Sequence, residues 1–262
     1  VVRAVGANLQ APASVSVVEA NGKPLSPALF GGITEIGIEE VSGVAETVDS
    51  AVKLPDGQPM RPEFDVTLAY NPDSVLVPIA RIEGLGFTLL GANTGGSFIA
   101  GQGAVMRLDG GADSIGPRVL FVKLGNDVLG LSGTSRAAQW MLLDQMVGEA
   151  RGRIAADSPH ALLTPTGRAV LARYLAGNGR IVVSVDRAAD IRQLLRWAQR
   201  ENVRIAIASG AEAWKLAPQI AQAKDILSGS GHSAQRRISF SGIALIGLRG
   251  AGKSTLGRML AK

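Results

Sequence analysis

The residues with the most specific chemical spacing lie near the end of the 262-residue sequence. Gly247, Gly252, Lys253 and Ser254 fit the pattern G-x-x-x-x-G-K-[ST] of a phosphate-binding loop. A β-rich run, 238–246, precedes this loop, and apolar residues at helical spacing follow it. In such a loop backbone N–H groups converge on a phosphate, the lysine reaches the β- and γ-phosphates, and the serine binds the Mg²⁺ that accompanies a bound nucleotide. The predicted nucleotide-binding residues are Gly247, Gly250, Gly252, Lys253, Ser254 and Thr255, with ATP–Mg²⁺ as the cofactor.

Two groups of charged residues follow apolar runs that are predicted to be strands. The first group is Glu35, Glu39 and Glu40, and the second is Asp186, Arg187 and Asp190. Because ligands bind at the carboxyl ends of strands in parallel α/β sheets, Glu35 and Asp186 are candidates for acid–base catalysis. Asp186 is also placed to cap the helix that follows it, and both interpretations stay open at this point.

Other common catalytic centres are not predicted. The sequence has no cysteine and two histidines, of which His160 lies in a turn and His232 in a polar linker. Neither histidine stands at metal-ligand spacing from a carboxylate, so no histidine-rich metal centre and no Ser-His-Asp triad is expected. A Mg²⁺ or Ca²⁺ site built from carboxylates alone has no signature here. Ser254 is the one metal-binding residue predicted, and only with a bound nucleotide.

The elements that would position these residues change in character near residue 132. Before it, short strands and turns are predicted, with strands at 15–18, 75–79, 87–90, 104–108 and 119–124 and glycine turns at 95–96 and 101–103. After it, helices are predicted at 135–150, 166–176, 188–201 and 211–223, with strands at 181–185 and 204–209. Residues 141, 142 and 146 are expected on the buried face of the first helix. Apolar strands that alternate with helices indicate parallel βαβ units.

A domain boundary is predicted near residue 226. Residues 226–262 hold six of the 27 Lys and Arg residues and none of the 22 Asp and Glu residues. The stretch 228–237 is rich in glycine and serine, as linkers are. We therefore expect a first domain at 1–225, a linker at 226–237 and a P-loop unit at 238–262.

The composition also bears on partners. The net charge of +5 resides in the end that carries the phosphate loop, and aromatic residues do not alternate with the basic residues there. A nucleotide phosphate is therefore predicted as the partner, and nucleic acid is not. Residues 84–106 carry no charge, but their glycines and polar residues favour a strand and turns over a membrane span. No compartment is predicted, except that use of ATP by the phosphate loop would indicate the cytoplasm.

Residues 1–224 resemble the imidazolonepropionase-like branch of the metal-dependent amidohydrolases. The matching stretches are NGKPLSPALF (21–30), NPDS (71–74), PIARIEG (78–84), SFIAGQG (97–103) and GAEAW (210–214). The resemblance implies a (β/α)₈ barrel with a small β-sandwich and hydrolysis of C–N bonds in cyclic amides by one or two metals. The chain is expected to cover about two thirds of such a barrel, without the last strands.

The metal-binding motifs of that family are absent from the matching positions. Its H-x-H pair falls on residues 33–35, where the sequence is Ile-Thr-Glu, and a later histidine falls within residues 183–186. Ser209 occupies the next strand end. The resemblance therefore implies a degenerate domain without catalytic activity.

Residues 237–262 resemble the opening of a shikimate-kinase-like domain. The shared segment is IALIGLRGAGKSTLGR (243–258), and the kinase-like domain of benzoyl-CoA-responsive regulators is the nearest in character. The rest of such a domain, with its acceptor pocket, is not expected, so the sequence is interpreted as a chimeric or truncated fusion.

Together these features predict an α/β fold: a partial amidohydrolase-like (β/α) barrel with a β-rich N-terminal part, plus a C-terminal P-loop strand–helix unit. Three functions remain open: a degenerate amidohydrolase-like domain fused to a truncated P-loop, an ATP-binding module of shikimate-kinase type, and a metal-dependent amidohydrolase that uses carboxylates. Self-association through exposed sheet edges is expected, because an incomplete barrel leaves strand edges unpaired.

Overall fold

The computed structural model describes residues 4–41, 43–55, 60–228 and 245–246. Its seven strands form one sheet in chain order. The strands are β1 (Leu29–Thr34), β2 (Leu85–Leu90), β3 (Ile99–Arg107), β4 (Ser114–Lys123), β5 (Arg180–Val185), β6 (Ile205–Ser209) and β7 (Leu245–Ile246). The helices are α1 (Leu76–Ile82), α2 (Arg136–Ala150), α3 (Pro165–Leu175), α4 (Ala188–Glu201) and α5 (Ala217–Ser228). Short 3₁₀ helices span Ala45–Thr47, Val66–Ala69, Asn126–Ser132 and Ala213–Leu216.

The sheet combines parallel and antiparallel pairing and curls into a half-barrel. β1 and β2 are parallel, and β3 runs antiparallel to both β2 and β4. From β4 to β7 every neighbouring pair is parallel. The carboxyl ends of β1, β2, β4, β5 and β6 therefore share one edge of the sheet, where an α/β fold places its ligands.

The apolar strands β5 and β6 are covered on both faces, which explains their composition. Ile181 and Val183 of β5 pack with helices α2, α3 and α4 in the larger apolar cluster. Val182 points the other way and joins a second cluster on the inner face with Ala206 and Phe121. Because side chains alternate across a strand, a strand between two apolar layers requires apolar residues at successive positions, as at 181–183 in β5 and 205–208 in β6.

Several predicted elements are confirmed. Helix α4 has the predicted bounds, and α2 begins after Ser135, whose hydroxyl accepts the N–H of Ala138. Strands β2, β4, β5 and β6 lie within a few residues of their predicted positions. The expected buried face of α2 was partly wrong, because Met141 is 62% exposed while Leu143 and Met146 are buried.

The strand predicted at residues 75–79 is wrong, because these residues belong to helix α1 and its first turn. Val77 and Ala80 are buried, three positions apart, whereas Val75 and Ile79 are exposed. A short apolar run fits a strand and a helix equally well by composition, and here the burial follows the helical period.

The glycine turn predicted at 101–103 is also wrong, because these residues lie inside strand β3. Their glycines serve close packing between strands. A Cβ atom on Gly103 would collide with the carbonyl oxygen of Leu90 in β2, and one on Gly101 would meet Phe64. Glycine inside a strand therefore marks close backbone approach here.

The two ends of the described chain differ from expectation. Residues 15–18 form no strand, and their side chains are exposed. Helix α5 continues to Ser228, past the predicted start of the linker at residue 226, and the rest of that linker lies outside the described residues. β7 pairs in parallel with β6 through Leu245 and Ile246. The division into two units stays a prediction.

Within the described ranges, no helix is both long and apolar enough to cross a lipid bilayer.

Candidate functional site

A cleft of about 400 Å³ opens at the carboxyl-terminal edge of the sheet. Ala100 and Phe121 contribute apolar surface to it, and Ser184 and Ser209 lie at the ends of β5 and β6. The charged residues along its wall are Lys123, Asp127, Arg136, Asp186, Arg187 and Asp190. An apolar floor with a few polar groups around it is the usual composition of a small-molecule site.

The end of β4 places an ion pair on one side of the cleft. The ammonium of Lys123 lies 2.9 Å from a carboxylate oxygen of Asp127, and both side chains are well exposed. Such a surface pair contributes on the order of 0–1 kcal/mol to stability. The pair neutralises the two charges on this side of the cleft and adds little to the stability of the fold.

The start of helix α2 supplies a second, deeper pair. Arg136 Nε lies 3.4 Å from an Asp190 carboxylate oxygen, and Asp190 is only 7% exposed. That Nε is buried and makes no hydrogen bond, while another guanidinium nitrogen donates to Asn126. Gln139 holds the adjoining backbone by donating to the carbonyl of Gly125 and accepting its N–H, at 2.9 and 3.0 Å.

The residues after β5 show that Asp186 does not cap the following helix. Arg187 occupies the N-cap position of α4 and makes no side-chain capping bond. A Glu212 oxygen accepts the N–H of Ala188 at 2.8 Å instead. Asp186 reaches across to the next strand end, where its Oδ1 accepts the N–H of Ala211 at 3.0 Å.

Ser209, at the end of β6, has the left-handed backbone conformation with φ of 61°. This conformation is uncommon outside glycine, asparagine and aspartate, and it carries some strain. The Ser209 hydroxyl donates to the carbonyl of Ala208 at 2.6 Å. Ser209 is therefore part of the turn that shapes the cleft, with its hydroxyl bonded to the backbone.

Glu35 follows β1 and is half-buried. Burial and a hydrogen bond with the neighbouring Glu39 carboxyl raise the pKa of Glu35 to about 7, against the opposing effect of hydrogen bonds from Asn93 and Ser50. Asn93 donates to Glu35 and also lines the cleft. A carboxyl group with a pKa near 7 can exchange protons at neutral pH.

The structure thus connects the two carboxylate candidates with one cleft: Asp186 lines it, and Glu35 reaches it through Asn93. Arg136 and Lys123 also line the cleft, and neither was predicted as a site residue. Lys123 lies near the end of a predicted strand and Arg136 directly follows a predicted helix cap, so the sequence indicated the place of both residues in the fold. Within the described residues, no group of three or more His, Cys, Asp or Glu side chains is arranged to hold a metal ion.

The predicted nucleotide site lies outside the described residues. This applies to Gly247, Gly250, Gly252, Lys253, Ser254 and Thr255. Strand β7, which immediately precedes them, is the one part of the predicted P-loop unit that the structure describes.

Comparison with known proteins gives one informative likeness. No protein-family model matches the chain, and no curated protein matches it. Among solved structures, the crystal structure of an amidohydrolase from Thermotoga maritima MSB8 superposes with a TM-score of 0.71 at 19% sequence identity. The aligned region covers 84% of this chain and 61% of that one.

The fold is therefore amidohydrolase-like, as the sequence resemblance implied. The chain spans about three fifths of the length of the structure that it matches. At this level of identity the likeness concerns the fold, and the activity has to be argued from the residues of the cleft.

Proposed function

We propose that this chain is an amidohydrolase-like domain that binds a small polar molecule in the cleft at the strand ends and does not hydrolyse it. The observation that carries the proposal is the way the polar groups at these strand ends are used. Asp186 accepts a backbone N–H, and Ser209 donates to a backbone carbonyl. Lys123 pairs with Asp127. Each of these groups is thus engaged by the backbone or by a neighbouring side chain, as groups in the wall of a pocket are.

The residue types support the same conclusion. A hydrolase of this fold that uses a metal needs several ligands around one ion, and imidazole and carboxylate are the usual ligands. The family's histidine positions hold Ile33, Glu35 and Ser209 or neighbouring residues. The size and mixed lining of the cleft remain suited to binding, because about 400 Å³ lies within the range of ordinary ligand pockets.

Binding in the cleft is tested by nuclear magnetic resonance with ¹⁵N-labelled protein and a set of small polar fragments. We expect backbone shifts to change at residues 92–94, 125–127 and 186–187, which line the cleft. Changes confined to other surfaces, or none at millimolar fragment, would refute the binding role.

A metal-dependent amidohydrolase that uses carboxylates is the second candidate, and the environment of Glu35 favours it. Its pKa of about 7 suits a general acid or base, and Asn93 connects it with the cleft. The two candidates separate by metal analysis of protein incubated with Zn²⁺, Mn²⁺ or Fe²⁺ and then dialysed. The proposed binding role expects no retained metal, whereas a stoichiometric ion that is lost in Glu35→Ala would favour the hydrolase.

A further inference from the structure

Building on the binding role proposed above, we infer that the cleft takes a small zwitterion of the amino-acid kind, with its carboxylate on Arg187 and its ammonium group on Asp186. The inference comes from which charges along the cleft are already paired and which are not.

The wall of the cleft is electrically balanced, with three cationic and three anionic side chains. Two cation–anion pairs are internal: Lys123 with Asp127 at 2.9 Å and Arg136 with Asp190 at 3.4 Å. Asp186 and Arg187 remain. Neither forms an ion pair within 4.0 Å with the other or with any further side chain of the described residues.

The competing carboxylate near Arg187 is already engaged. Glu212 accepts the N–H of Ala188 at 2.8 Å and the ammonium of Lys215 at 2.8 Å. These bonds are the main reason that the pKa of Glu212 is lowered, with Lys215 as the largest cause. The charge of Arg187 contributes least to this shift, through space and without a hydrogen bond to Glu212. Among the described residues, the guanidinium of Arg187 lines the cleft and makes no hydrogen bond or ion pair with another side chain.

The chemistry of the unpaired groups defines the ligand. A guanidinium presents paired N–H donors that match the two oxygens of a carboxylate. Asp186 uses Oδ1 for the N–H of Ala211, and its second oxygen can accept from an ammonium group. Helix α4 begins at Arg187, and the positive end of its dipole favours an anionic group there.

The balanced wall also selects against other ligand classes. A phosphate ester or other polyanion would meet the carboxylates of Asp127, Asp186 and Asp190 along the same cleft. A simple cation would satisfy Asp186 but would face Arg187. A molecule that carries one positive and one negative group pairs both without placing like charges together.

The test uses the twenty standard amino acids individually at millimolar concentration, with thermal shift as the screen and calorimetric titration for each amino acid that stabilises the protein. For the best amino acid, its N-acetyl derivative removes the ammonium charge and its methyl ester removes the carboxylate charge. The variants are Arg187→Gln and Asp186→Asn, and the asparagine keeps the oxygen that accepts the Ala211 N–H. Arg192→Gln is the matched control, since Arg192 is exposed on the same helix and does not line the cleft.

We expect at least one amino acid to bind, and Arg187→Gln to weaken it about tenfold or more, as loss of a charge-assisted hydrogen bond does. N-acetylation should cost a similar factor, and the acetylated compound should be insensitive to Asp186→Asn. Arg192→Gln should bind as the parent protein does. Equal binding of the amino acid and its N-acetyl derivative would overturn the zwitterion while leaving the cleft as a binding site.

A second outcome separates the two proposals further. If no amino acid binds but polar fragments still shift the cleft resonances, the inference about ligand class is wrong and the binding role stands. If neither amino acids nor fragments perturb the cleft, both are wrong.

Discussion

The surroundings of Glu35 alter the ionisation of its carboxyl group. Its carboxyl group is half-buried and shares a hydrogen bond with Glu39, while Asn93 donates to it from the cleft. Burial and the second carboxyl favour the protonated form, and the amide favours the ionised form. The result is a pKa of about 7 in the folded protein against an ordinary value of 4.5.

This shift makes the stability of the fold depend on pH. Between about 4.5 and about 7 the folded protein holds a proton that the unfolded chain has released, so the stabilisation is full below this window and is lost as the pH rises through it. Glu35→Gln cannot titrate. We expect the free energy of unfolding to fall from pH 4.5 to pH 8 by about 1 kcal/mol more in the parent than in this variant, an amount reduced by solvent access.

Urea unfolding at pH values across this window measures that difference. Glu46→Gln is the control, because Glu46 is an exposed carboxyl in the short 3₁₀ helix Ala45–Thr47. Parallel curves for the parent and Glu35→Gln would show that Glu35 has an ordinary environment.

At the scale of elements, close packing of β3 against β2 depends on Gly103. An added Cβ atom would collide with the backbone carbonyl of Leu90, which cannot move without disturbing the sheet. We expect Gly103→Ala to destabilise the protein by roughly 1–3 kcal/mol. Gly130→Ala is the control, since its Cβ would meet nothing within 4 Å. Chemical denaturation of both variants tests this, and equal stability would contradict the close approach.

Helix α1 gives a second test at the same scale, because a strand and a helix expose different residues. Val77 is buried and Ile79 is 56% exposed, although a strand would place both on one face. We expect Val77→Ala to cost about 2 kcal/mol and Ile79→Ala to change stability by less than about 0.5 kcal/mol. Similar losses for the two variants would favour a strand, and thermal unfolding measures them.

These elements also show what the sequence could predict. The βαβ part from α2 to β6 was predictable, because its helices are long enough to show periodic apolar residues and begin at clear caps such as Ser135. Both features can be read from neighbouring residues. Segments 75–79 and 101–103 could not be predicted in this way. Helix α1 is too short to show the helical period, and the glycines of β3 are required by contacts with Leu90 and Phe64, which are distant in sequence. The candidate site also combines local and long-range features. The end of a predicted strand indicated Asp186 as a site residue, whereas the pairing of Arg136 with Asp190 depends on how two helices pack together.

At the scale of the whole molecule, the amidohydrolase-like fold and the predicted phosphate loop call for separate experiments. The loop residues lie outside the described ranges, so nucleotide binding remains a prediction from the sequence. We expect ATP–Mg²⁺ to bind weakly and without turnover, and Lys253→Ala to abolish that binding, because the lysine is the principal cation of the loop. Calorimetric titration measures the binding, with Lys262→Ala as the control. Phosphate transfer to shikimate would contradict the expectation of no turnover.

Self-association through sheet edges is also proposed at this scale. Among the described strands β1 ends the sheet, and Leu29 and Phe30 are largely exposed there, with Phe30 stacked on Phe87. An exposed apolar edge strand is prone to pair with another chain.

One experiment asks both whether the cleft binds a small polar molecule and whether the protein leaves that molecule unhydrolysed. The protein is supplied with Zn²⁺ and a panel of cyclic amides, and proton nuclear magnetic resonance follows both the substrates and the cleft resonances over time. We expect shifts at residues 92–94 and 186–187 with some compounds, and ring opening no faster than in buffer. Protein-dependent ring opening that is abolished by Glu35→Gln and by Asp186→Asn would contradict it.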